Sequence, residues 1–366
     1  MGLKAGIVGL PNSGKTTLFN LLTRGKAQVA NYPFCTISPN VGVVEVPDPR
    51  LEVLASLLQP PRVAKATIEF VDVAGLVEGA SRGEGLGNQF LSAIRGVDAV
   101  IHVLRFFGET QVPHVLGKTD PIRDREIVDL ELLLADLEVI ERRWEKVEDL
   151  SRKVRDHKLE VERETLKRCR AALEKGIPLR NLTFSEEEKV ILRPFQLITL
   201  KPILYLANLD EREESKTSWG KARPYFAQRG EKLLALFTKL EEELEEIPPA
   251  ERGPFLQEFG ITEEGLDVVI REVYDLLGLI TFFTSGDKEL RAWELPRGST
   301  APQAAGKVHT DMERGFIRAE VINYLELVEL GSLEKARQEG KIRLEGKDYR
   351  VQDGDLVYFR FAPTEQ

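Results

Sequence analysis

The sequence predicts an α/β protein of more than one domain, and three observations give that class. First, the apolar run Ala5 to Val8 reads as a buried strand, then comes a glycine-bearing turn, then the amphipathic spacing Leu18, Phe19, Leu21, Leu22 of a helix. Second, strand-like apolar runs recur at Ile68–Asp72, Ala99–Leu104 and Ile203–Ala207, as expected of a mostly parallel sheet covered by helices. Third, from Leu279 onward the pattern shifts to short strands separated by turns. At 366 residues the chain also exceeds the usual size of a single domain.

The first turn carries the chemistry. Gly9-Leu-Pro-Asn-Ser-Gly14-Lys15-Thr16 fits the phosphate-binding pattern G-x-x-x-x-G-K-S/T between a strand and a helix. Backbone N–H groups of such a loop form an anion nest, and the helix N-terminus adds its positive dipole end. Lys15 is expected to reach the β- and γ-phosphates and Thr16 to ligate Mg²⁺. Asn12, Ser13, Gly14 and Thr17 complete the expected phosphate contacts. Downstream, Ile68-Glu-Phe-Val-Asp72-Val-Ala-Gly75 is a strand ending in Asp-x-x-Gly, so Asp72 is expected to hold Mg²⁺ and the Gly75 amide to meet the γ-phosphate. Thr36, in Asn31-Tyr-Pro-Phe-Cys-Thr36, is the candidate switch threonine for the metal. Gly79 to Gly87 holds four glycines in nine residues, which argues against one rigid helix and for a switch ordered by the γ-phosphate. These parts stand in the order of a Ras-like P-loop NTPase.

One part is missing. The glutamine that orients the attacking water in Ras-like enzymes would directly follow Asp-x-x-Gly, and Leu76 stands there. An apolar side chain cannot hold water. His114, in the loop after the Ala99–Leu104 strand, is the candidate replacement; alternatively Asn12 helps hold a monovalent cation such as K⁺, which would supply positive charge. Of the other histidines, His102 reads as core and His157 as solvated.

The base-reading end is altered too. A GTPase normally carries Asn-Lys-x-Asp after the Ile203–Ala207 strand, and this chain has Asn208-Leu209-Asp210-Glu211. The longer Glu211 suits the two-pronged guanine contact poorly, Asn208 can both donate to and accept from adenine, and Leu209 is expected to cover one face of the ring. The balance favours ATP, with GTP weaker.

Together, Gly9–Thr16, Asn31–Thr36, Asp72-Val-Ala-Gly-Leu76, the Gly79–Gly87 loop, Asn208–Glu211 and Val308-His-Thr-Asp-Met-Glu-Arg-Gly-Phe316 resemble the Obg-like ATPases, the YchF branch of the translation-factor-related P-loop NTPases. The resemblance covers nearly the whole chain. It implies slow ATP hydrolysis, a histidine at the His114 position acting for glutamine, and association with ribosomes or ribosomal RNA. It also implies a C-terminal TGS domain. One departure is the loop that usually supports the base, where Leu236-Phe-Thr-Lys-Leu-Glu241 stands.

The remaining features set the organisation. Leu133, Leu137, Ile140, Trp144, Val147 and Val154 follow heptad-like steps, with a second seam at Leu159, Leu166, Cys169 and Leu173, so an antiparallel helical coiled-coil hairpin is expected. Its tip, Ser151 to Lys158, has four basic residues against one acid and could meet RNA phosphates. The expected division is a nucleotide-binding domain over 1–278, the hairpin inserted over 125–195, and a ubiquitin-like β-grasp (TGS) domain over 279–366 with one crossing helix and strands that include Arg350–Gln352. A net charge of -9 disfavours wrapping nucleic acid, so DNA is not an expected partner. No apolar stretch is long enough to span a bilayer, and the two cysteines, Cys35 and Cys169, suit a reducing compartment. The expectation is a cytosolic monomer away from membranes. The rival readings are an Obg/Era-type GTPase and a nucleotide-gated adaptor in which hydrolysis is incidental.

Overall fold

The computed structural model describes residues 3–24, 41–73, 86–108, 113–154, 156–248, 251–252, 254 and 265–362. The first part of the chain runs β1 (Lys4–Val8), α1 (Lys15–Arg24), β2 (Val41–Glu45), α2 (Pro49–Leu58), β3 (Val63–Ala64), β4 (Thr67–Asp72), α3 (Leu86–Arg95) and β5 (Ala99–Arg105). Two long helices follow, α4 (Pro121–Ser151) and α5 (His157–Glu174), then α6 (Glu186–Leu192), β6 (Ile203–Asn208), α7 (Glu213–Ala227), β7 (Leu233–Leu236), α8 (Thr238–Glu246) and α9 (Gly265–Leu276).

The first sheet has the order β2-β4-β1-β5-β6-β7. Its neighbours run parallel except for the antiparallel pair β2–β4. Parallel strands with both faces covered need apolar residues on both, and every residue of β5 is buried. Register places Ile7 beside Asp72, Val8 beside His102, and Arg105 beside Asn208. The C-terminal ends of β1, β4, β5 and β6 therefore meet at one edge, where open α/β sheets bind their ligands. His102 is fully buried, as its place inside a strand predicts, and burial lowers its pKa to about 3.

Asp120 caps α4 by accepting the Arg123 N–H, with Pro121 in the first turn, and Asp156 caps α5 by accepting the Lys158 N–H. Arg143 pairs with Glu162, and Glu141 with Arg170, so the helices run antiparallel. Leu133, Ile140, Val147, Leu166, Cys169 and Leu173 close one buried cluster between them. Val154 is the exception. It lies in the turn after α4 and is 55% exposed, because the helix ends at Ser151 before the heptad step can return it to the seam.

The second sheet starts at β8 (Leu279–Ser285) and β9 (Leu290–Pro296). Helices α10 (Ala301–Val308) and α11 (Thr310–Arg314) precede β10 (Phe316–Asn323), then α12 (Tyr324–Leu330), α13 (Leu333–Gln338), β11 (Arg343–Glu345) and β12 (Asp355–Phe361). The single crossing helix is thus an undercount. Thr300 and Gln303 form a capping box that starts α10, and three of its alanines pack against Phe316 and Val321. Arg350–Gln352 is no strand; Arg350 makes only an isolated bridge to Thr300. Ser332 caps α13 by accepting the Lys335 N–H.

The sheet order, β11-β10-β12-β8-β9-β3, takes its edge strand from far upstream: Val63 and Ala64 pair parallel with Leu290 and Arg291. One buried cluster joins Leu51 and Leu54 of α2 to Phe283, Leu290, Ala292, Ile322, Leu327 and Leu356. Arg50 closes the seam, donating to Asp48 and, at 2.7 Å, to Asp353. Asp353 in turn accepts the Thr281 N–H.

Candidate functional site

The phosphate loop is held in a conformation that side chains resist. Gly9 and Gly14 have φ of 152° and 98°, and a Cβ on Gly14 would lie 2.2 Å from Asn208 Nδ2. Asn12 is also left-handed, at φ 62°. Ser13 is buried, and among the described residues its Oγ has no hydrogen-bond partner. Thr17 is half-buried in the first turn of α1.

Lys15 is 7% exposed and donates through Nζ to the Leu10 carbonyl at 2.7 Å. The ammonium is curled over its own loop. Burial holds its pKa down to about 8, opposed by the Asp72 carboxylate. Thr16 Oγ1 donates to Asp72 Oδ2 at 3.1 Å. Burial raises the Asp72 pKa, and the Thr16 hydrogen bond and Lys15 oppose that rise. A hydroxyl and a carboxylate converging beside the phosphate loop form an all-oxygen donor pair that suits Mg²⁺. Thr36, Gly75 and Leu76 lie outside the described residues, as does most of the Gly79–Gly87 loop. Its last residues, Leu86 and Gly87, form the first turn of α3.

His114 is 5% exposed, and its Nε2 lies 2.6 Å from Asp124 Oδ2 in the first turn of α4. The preceding residue touches the phosphate loop, since Asn12 Nδ2 donates to the Pro113 carbonyl at 3.1 Å. Arg105, buried at the end of β5, binds the same loop from behind. It donates to the carbonyls of Asn12 at 3.3 Å and Gly108 at 3.0 Å and stacks on Phe107. Sequence reasoning missed both Arg105 and Asp124. A charged residue ending an otherwise apolar strand at the ligand edge was the available signal for Arg105; none marked Asp124.

At the base end, Asn208 is 2% exposed and already bonded. Its Nδ2 donates to the Ser13 carbonyl at 3.1 Å, and its Oδ1 accepts the Thr238 hydroxyl at 2.8 Å. The amide braces the phosphate loop, and among the described residues its second N–H meets no partner. Thr238 is the side chain that the Leu236–Glu241 segment contributes. Leu209, expected to cover one face of the ring, packs into the core. It is 2% exposed within a cluster of Leu104, Phe106, Tyr205, Ala207, Ala222 and Phe226. Alternation explains this, because Tyr205, Ala207 and Leu209 point to one side of β6 and its extension. Glu211 is exposed.

Comparisons with known proteins point to one family. A family model described as "50S ribosome-binding GTPase" matches residues 4–135. A second, for the C-terminal region of YchF GTPases and described as a protein of unknown function, matches residues 279–362. "Ribosome-binding ATPase YchF" of Bacillus subtilis is 49% identical over 99% of this chain and 100% of its own length. The protein of the same name from Escherichia coli O157:H7 is 48% identical, covering 99% of each. The solved structure of the Schizosaccharomyces pombe YchF GTPase superposes with a TM-score of 0.88 at 34% identity, covering 98% of each chain. Identity at this level along the full length of both chains shows that the protein belongs to the YchF family.

Proposed function

We propose that the chain is a slow Mg²⁺-dependent ATPase that works as a nucleotide-controlled switch on the ribosome. The observation that carries the reading is the contact between Asn12 and Pro113, which sets His114 next to the phosphate loop of a chain that has Leu76 where the water-orienting glutamine would be. On nucleotide entry, Lys15 exchanges the Leu10 carbonyl for the β- and γ-phosphates, and the amides of 12–17 close round them. Thr16, Asp72 and Thr36 would hold Mg²⁺, which supplies charge neutralisation at the phosphates. His114 leaves Asp124 and positions the attacking water; the need to break that contact accounts for slow turnover.

The preference for ATP is supported by an exposed Glu211, by a Leu209 that belongs to the core, and by the spare Asn208 N–H, which can meet a base nitrogen. Ribosome binding is supported by the names of the bacterial relatives and by the basic turn between α4 and α5. Among the described residues no helix is long and apolar enough to cross a membrane.

Calorimetric titration of nucleotide-free protein with non-hydrolysable ATP and GTP analogues in Mg²⁺ tests the substrate. Adenine favoured by tenfold or more, about 1.4 kcal/mol, supports the reading. Equal or guanine-favoured binding makes the chain a GTPase in which Glu211 reads the base. Turnover of His114→Ala, measured at saturating ATP in K⁺ and in Na⁺, tests the mechanism: a wild-type rate removes His114 from it, and a rate indifferent to the cation removes K⁺.

A further inference from the structure

His114 is stored with both ring nitrogens occupied. Nδ1 accepts the Leu116 N–H at 3.1 Å, so that nitrogen carries no proton. The network thereby assigns the proton to Nε2, which donates to Asp124 Oδ2 at 2.6 Å. An imidazole bound in this way offers no lone pair to a water molecule. Asp124 is 3% exposed, and its other oxygen accepts the Arg123 guanidinium at 3.0 Å and 3.3 Å. Arg123 also donates to the Lys118 carbonyl at 2.6 Å, which fixes it in place. The carboxylate therefore stays paired when the imidazole leaves, which lowers the cost of release.

We propose that Asp124 is a positioning residue that keeps His114 out of the reaction, and that its place on α4 gives the helical hairpin control over release. The proposal rests on the reading of His114 as the residue that positions water. The geometry of α4 carries the second half. The helix has Asp124 in its first turn, and at about 1.5 Å per residue its far end, next to the basic turn, is roughly 40 Å away. Arg125, next to Asp124, pairs with Glu231, and one turn further along Asp129 accepts the Tyr205 hydroxyl at 3.0 Å, so the base of the helix is tied to β6 and to the segment before β7. A partner that engages the tip acts on a rigid rod whose base holds the histidine.

The experiment measures single-turnover ATP hydrolysis and nucleotide affinity for Asp124→Asn, which keeps an acceptor oxygen but removes the charge. A neutral acceptor holds the ring more weakly, so the rate should rise about fivefold with affinity unchanged. On a His114→Ala background the same substitution should change nothing. Nitrogen NMR of the His114 ring should show the Nε2–H tautomer in the free protein and its loss when a non-hydrolysable ATP analogue binds. A folded Asp124→Asn protein with an unchanged or lower rate overturns the proposal, as does an acceleration that persists without His114. If His114→Ala alone hydrolyses ATP at the wild-type rate, the underlying reading of His114 fails first, and the latch with it. Should Asp124→Asn fold poorly, the ring tautomer in the wild-type protein decides: retention of Nε2–H in the analogue complex overturns the latch.

Discussion

Raising the pH should weaken nucleotide binding in a way set by one side chain. In the free protein Lys15 is buried, with its pKa lowered to about 8. In the complex the ammonium faces phosphate oxygens, which favour its charged form. The sign follows directly. Below a pH of about 8 the lysine is already charged and binding needs no proton; above it each binding event must also take one up. Affinity should therefore be flat up to neutral pH, then fall about tenfold by pH 9 and tenfold more per further unit, each decade being about 1.4 kcal/mol. Fluorescence titration with a non-hydrolysable ATP analogue from pH 6.5 to 9.5, at fixed Mg²⁺ and ionic strength, reads this slope. Lys15→Arg is the control, because a guanidinium keeps its charge throughout: its binding is expected to be weaker but free of the slope. A wild-type affinity that stays level through pH 9, or a slope that survives in Lys15→Arg, would refute the assignment.

Two further outcomes test the packing. Leu209→Ala removes a side chain from the Phe106–Phe226 cluster and should cost about 3 kcal/mol in urea unfolding, through lost burial and a cavity. If it instead weakens ATP binding and leaves stability unchanged, Leu209 faces the base after all. Arg50→Ala removes the contacts to Asp48 and Asp353 and the stacking over Phe283 and should destabilise the protein by about 2 kcal/mol. An unchanged melting temperature would mean that the apolar seam alone holds the second sheet.

The phosphate end was legible because backbone geometry dictates residue type there. Only glycine tolerates the angles and approaches at Gly9 and Gly14, and the neighbouring strand and helix have strong periodicities. The base end was half legible. Asn208 stood where a base reader belongs, but its main bonds run to Ser13 and Thr238, and neither contact leaves a trace in linear spacing. The core packing of Leu209 follows the alternation from Tyr205 and Ala207, a signal that its place beside Asn208 outweighed. The hairpin was readable from its heptads up to the turn, where Val154 continues the rhythm but not the helix. In the C-terminal part, the helices α10 to α12 span only five to eight residues each, too few to show a period. Strand β3 offered just two residues, which no pattern can announce.

That two-residue strand changes what a domain boundary means in this protein. A cut after residue 278 looks natural in sequence, yet it would strip β9 of its outer neighbour β3 and uncover Leu290 and Ala292 on one piece and Leu51 and Leu54 on the other. Neither fragment would keep a closed interior, and the C-terminal one would gain an open strand edge prone to self-association. The segment responsible, β2 through β4, is also the stretch between Thr36 and Asp72, the two residues expected to sense the metal and γ-phosphate. The C-terminal sheet is thus built onto the span of chain that leads into Asp72, so a displacement there would reach it through solid packing and not through a tether.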